Sequence, residues 1–65
     1  MILTPTPIYN EASELIRIDF YNAESGIFEM QAVWDENDEQ TKDNQEAFTK
    51  WAYSHMKDRG DEVAL

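Results

Sequence analysis

The sequence predicts a small two-layer α+β domain: an antiparallel β-hairpin, with a third short edge strand as an option, packed against one C-terminal amphipathic helix. Three observations lead there. Residues 15–34 hold two β-prone stretches around a turn. Residues 43–59 carry apolar side chains at helical spacing. Neither a lone hairpin nor a lone helix of this length is stable in water, so the two apolar faces are expected to cover each other.

Residues 1–13 are the least regular part. Pro5 and Pro7 exclude a helix and bias their predecessors toward extended backbone. Ile2, Leu3, Ile8 and Tyr9 suit an extended arm or edge strand, and Asn10 to Ser13 read as a turn. In the 15–34 hairpin, Asn22-Ala23-Glu24-Ser25-Gly26 forms the turn, with Gly26 taking a positive φ. A register with Phe20 opposite Phe28 sets Ile18 against Met30 and Ile16 against Ala32. Trp34 extends the same apolar row. The other face then collects Arg17, Asp19, Glu29 and Gln31. Asp19 and Glu29 would be directly opposed, with Arg17 on the diagonal to relieve them.

The 35–42 connection is polar and acidic. The helix over 43–59 places Phe48, Trp51, Ala52, His55 and Met56 on one stripe. Thr41 or Asp43 suits the N-cap, Asp43 and Glu46 have capping-box spacing, and Lys57 and Arg59 match the C-terminal end of the helix dipole. Gly60 suits the position after the helix. The 60–65 tail either adds a short strand or frays. A single domain over 1–65 is expected.

Composition narrows the function classes. The 65 residues carry 14 Asp or Glu against 5 Lys or Arg, a formal net charge of −9, and no cysteine. Direct nucleic-acid binding and attachment to an anionic membrane are disfavoured, because phosphate recognition needs clustered Lys and Arg. A disulfide framework and a cysteine-based zinc site are excluded. The first residues lack the basic stretch and long apolar run of a signal peptide, and no segment approaches a membrane span. A cytoplasmic protein is the expectation.

Catalytic chemistry finds little purchase. His55 is the one histidine, and a lone histidine beside Trp51 and Met56 on a helix reads as an edge-of-core residue. Ser13, Ser25 and Ser54 have no histidine and acid arranged with them. Asp19 and Glu29 would be neighbours, but on a solvated sheet face without a pocket. No enzyme activity, metal or cofactor is expected. Asp35, Asn37, Glu39, Thr41, Asp43 and Glu46 do approach the ligand spacing of a calcium loop at 35–46. Gln40 stands where that loop turns on glycine and Lys42 where it packs an apolar residue, so a solvated acidic loop is the stronger reading.

The charge itself then carries the functional expectation. A non-catalytic module that engages a basic, nucleic-acid-binding protein by imitating phosphate rows is the leading reading, with inhibition as its outcome. The expected contact residues are Asp35, Glu36, Asp38 and Glu39 in the connection, Asp19 and Glu29 on the sheet, and Tyr21 or Tyr53 as an aromatic anchor. A structural or assembly subunit acting through homo-oligomerisation, such as a homodimer built on a sheet edge, is the alternative. In size, acidity and expected architecture the chain resembles phage-encoded inhibitors of host DNA-acting machinery, such as anti-CRISPR proteins and uracil-DNA glycosylase inhibitors. No stretch carries a signature of either group, so the resemblance assigns no residue a role.

Overall fold

The computed structural model describes residues 1–64, and the last position of the expected tail, Leu65, lies outside them. The elements run β1 (Ile2–Tyr9), β2 (Leu15–Asn22), β3 (Phe28–Val33), α1 (Lys42–Asp58) and β4 (Glu62–Val63). They form one four-stranded mixed sheet of order β3-β2-β1-β4, with β4 parallel to β1 and the other pairs antiparallel. The helix lies on one face of this sheet. The shortest principal extent, 18 Å, is that of one helix on one sheet, and among the described residues the far face carries no second layer.

The N-terminal segment is a full strand rather than an arm, and it forms a sheet edge only past the two residues that β4 covers. β1 pairs with β2 from Leu3 to Tyr9, and β4 covers Ile2 and Leu3 on its other side. Two prolines are tolerated because of where their backbones face. The Met1 and Leu3 carbonyls accept from Glu62 and Ala64, so odd-numbered residues of β1 turn toward β4. Pro5 and Pro7 therefore lack an N–H only on the side that β4 leaves uncovered.

Asparagines close both hairpins. The Asn10 side-chain oxygen accepts from the Ala12 and Glu14 N–H groups, at 2.9 and 3.0 Å, while Ser13 takes a positive φ of 63°. The Asn22 side-chain oxygen likewise accepts from Glu24 and Ser25, and Gly26 adopts φ 75° as expected.

The β2–β3 register differs from the expected one by two residues. Phe20 opposes Met30, Ile18 opposes Ala32 and Asp19 opposes Gln31. A bulge at Glu29 then sets Tyr21 against Phe28, which flips Phe28 to the open face and leaves it 49% exposed. A second bulge leaves Ile16 unopposed between the pairs Ile8–Arg17 and Tyr9–Leu15. Leu15 enters the core in its place, and Ile16 is 38% exposed.

The core comprises Leu3, Leu15, Ile18, Phe20, Ala32, Trp34, Ala52 and Met56, with Met30, Phe48, Tyr53 and Val63 packed around it. The helix is rotated from its expected facing. Ala52 and Met56 are buried and Tyr53 sets its ring edge-on to Phe20 at 6.1 Å, whereas Trp51 and His55 are exposed. Helix α1 starts one residue earlier than expected, at Lys42, with the Thr41 hydroxyl accepting from Asn44 N–H. It ends in a Schellman motif: Gly60, at φ 93°, donates to Lys57 C=O and Asp61 donates to Met56 C=O. That turn delivers β4 to β1, and Asp61 lies 3.7 Å from the N-terminal ammonium and 3.9 Å from Arg59.

Candidate functional site

Eight of the fourteen acids lie at one end of the molecule. The β1–β2 turn, the end of β3, the 35–41 connection and the first turns of α1 all meet there. Together they bring Glu11, Glu14, Asp35, Glu36, Asp38, Glu39, Asp43 and Glu46 to a single pole. An open cleft of about 530 Å³ runs between the two loops. Leu15, Ile16, Val33 and Trp34 give it apolar lining, and Glu14, Glu36, Asp38 and Glu39 give it charge. Lys42, the first residue of α1, lies within the same pole, and Lys50 stands further along the helix. Of the other cations, Arg17 is committed to Asp19, and Lys57 and Arg59 sit at the far end of α1.

Side chains fasten the connection to the domain. Gln40 bridges it to β2, its Oε1 accepting from Leu15 N–H at 3.0 Å and its Nε2 donating to Leu15 C=O at 2.8 Å. Gln45 Nε2 donates to the same Gln40 oxygen at 2.9 Å. The Trp34 indole N–H donates to Asp38 C=O at 3.3 Å, and Asn44 Nδ2 donates to Glu39 C=O at 2.8 Å. Within the loop, Asp35 Oδ1 accepts from Asn37 N–H at 2.9 Å. The Glu36, Asp38 and Glu39 carboxylates, by contrast, make no hydrogen bond or ion pair among the described residues. The backbones of Asp38 and Glu39 are held while all three charges face solvent, an arrangement that lowers the ordering cost of recognition.

The expected contact residues thus separate into two groups. Asp35, Glu36, Asp38 and Glu39 come together at the pole. Asp19 and Glu29 do not join them, nor do they face each other. Asp19 is only 5% exposed and is bound to Arg17 (Nε to Oδ1, 3.0 Å) across from Gln31, while Glu29 is the exposed bulge residue of β3. The open sheet face is consequently not an acidic surface. It presents Ile2, Thr4, Ile8, Tyr21, Phe28 and Val33 around a single neutralised pair. Neither tyrosine is a free anchor. Tyr53 belongs to the core margin, and Tyr21 is half-buried with its ring edge-on to Phe28 at 5.8 Å.

The expected stripe of α1 keeps an aromatic run at its margin, part of which faces solvent. Phe48 links the buried Trp34 to Trp51, at ring distances of 5.1 and 6.0 Å, and Trp51 stacks on His55 at 5.8 Å. Trp51 is 57% exposed and borders a shallow groove with Val33, Asp35, Asp38 and Phe48. For the calcium spacing across 35–46, the carboxylates do not converge: among the described residues no three His, Cys, Asp or Glu side chains are grouped as a metal ion requires. No described helix is long and apolar enough to cross a membrane. No family model, curated protein or solved structure matches this chain.

Proposed function

We propose that this protein is a non-catalytic binding module whose acidic pole engages a basic surface on a nucleic-acid-binding protein and blocks access of the nucleic acid. The observation that supports this reading is the fastened 35–41 loop, which presents Glu36, Asp38 and Glu39 without partners among the described residues. Unpaired carboxylates on a fastened loop concentrate negative charge at one pole as a phosphate backbone does, and they would steer a basic partner at long range. The apolar lining of the adjoining cleft supplies contact area that charge alone lacks. The test is competition. The chain should displace duplex DNA from a partner captured at low salt, and Glu36→Lys with Glu39→Lys should abolish displacement. Displacement unchanged by that double reversal would remove the pole from the mechanism.

A second reading has its own support. The open sheet face exposes Ile2, Phe28 and Val33, each at about half of its full accessible area or more, and among the described residues no layer covers them. A structural subunit that assembles through this face would use the acid excess only for solubility. Sedimentation at micromolar concentration tests it. A salt-insensitive symmetric oligomer favours assembly, and a monomer rules it out.

A further inference from the structure

The two edges of the sheet are unequal. On the β1 edge, β4 pairs at Ile2 and Leu3, and beyond it Pro5 and Pro7 remove the donors that an added strand would need. The β3 edge has none of these devices. Trp34 N–H donates to Ile16 C=O, and Ala32 and Met30 oppose Ile18 and Phe20, so even-numbered residues of β3 face inward to β2. The N–H and C=O groups of Gln31 and Val33 therefore point outward, and among the described residues no strand lies beyond them. Directly beside this edge lies the groove bordered by Val33, Phe48 and Trp51, with Asp35 and Asp38 on its rim.

We infer that the β3 edge accepts an extended, lysine- or arginine-bearing segment of the partner as a fifth, antiparallel strand, with one of its apolar side chains in the Val33–Trp51 groove. Strand addition supplies affinity through main-chain hydrogen bonds, and side chains alternate between the two faces of the enlarged sheet. Charge selects the occupant. Glu29, Asp35 and Asp38 flank the edge, while all five cations of the chain lie on β2 or on and just after the helix. A second copy paired along β3 would instead bring two chains of charge −9 together, with Glu29 and Asp35 of both copies along one seam. This inference rests on the reading that the chain binds a basic protein, and it specifies the form in which that protein is held.

The test uses the full chain and an end-blocked peptide of alternating Lys and Val, long enough to span β3. Amide hydrogen exchange is followed residue by residue at low salt. Binding should slow exchange at Gln31 and Val33 by about tenfold or more, since these outward N–H groups gain partners. Gln31→Pro removes one outward donor without touching the ladder to β2, and it should weaken the peptide about tenfold. Should that variant fail to fold, the exchange pattern of the unaltered chain still decides. Salt-sensitive binding that leaves Gln31 and Val33 exchange unchanged overturns strand addition and leaves the acidic-binding reading standing. No binding at low salt overturns both. Slow exchange at these amides without peptide, rising with protein concentration, identifies the occupant as a second copy and overturns the inference.

Discussion

The Gln40 side-chain amide pairs with the backbone of Leu15 as a strand would, accepting from its N–H at 3.0 Å and donating to its C=O at 2.8 Å across 25 residues of sequence. This ring lies where the second bulge turns Leu15 into the core, and it joins the acidic connection to β2. Replacing Gln40 with Ala orphans both groups of a buried residue, at a cost of about 1–3 kcal/mol. Chemical denaturation should show that loss. Exchange should also quicken in residues 35–41 if the ring is what holds the loop.

Arg17 and Asp19 form an ion pair on the open sheet face, with the carboxylate nearly buried and the guanidinium partly exposed. Arg17→Met removes the partner and leaves a desolvated charge, so destabilisation of about 1–3 kcal/mol is expected. Adding Asp19→Asn should recover most of it. A double variant as unstable as Arg17→Met alone would place the cost in lost packing of the arginine stem instead.

The two tryptophans should behave oppositely. Trp34 is buried against Phe48 and bonded to the Asp38 carbonyl, so Trp34→Ala should cost about 3–5 kcal/mol, enough to unfold a domain of this size. Trp51 keeps more than half of its surface in water, and Trp51→Ala should change stability by under about 1 kcal/mol. Thermal melts of the two variants give the comparison. A large loss at Trp51 would mean that its stack with His55 contributes to the fold rather than to a contact surface.

Gly60 adopts φ 93° with nothing within 4 Å of the position a Cβ would take. Gly60→Ala therefore incurs only backbone strain, about 1–2 kcal/mol, with no steric addition. Because the Schellman turn delivers β4 to β1, exchange at Glu62 and Ala64 should accelerate in this variant.

The α+β class, the β2–β3 hairpin, the helix and the Gly26 and Gly60 turns were legible because periodicity and turn chemistry report them locally. What was not legible arose from long-range pairing. Ile16 and Phe28 both fit the apolar alternation, and only the bulges, which depend on how β1 and β3 register on β2, turned them outward and admitted Leu15. Pro5 and Pro7 were compatible with an extended arm or edge strand, and their shared parity, which places both missing donors on the side β4 leaves uncovered, appears only once β1 is paired. On the helix, Trp51 and Tyr53 both border the stripe, and the edge-on fit of Tyr53 to Phe20 decides between them. Of the expected contact set, the contiguous residues Asp35 to Glu39 stayed together because they share a loop. Asp19 and Glu29 depended on a register, and they separated with it. Gln40 left no signal, since a glutamine in a polar loop has no pattern until its partner is known.

The most direct measurement is the salt dependence of partner capture by the immobilised chain, run from about 0.05 to about 0.5 M salt, beside the Glu36→Lys and Glu39→Lys double variant. An acidic pole that stands in for phosphate predicts a nucleic-acid-binding protein captured at low salt, released at high salt, freed from DNA by the chain and ignored by the variant. Equal capture across that range, with the variant as effective as the unaltered chain, would contradict it.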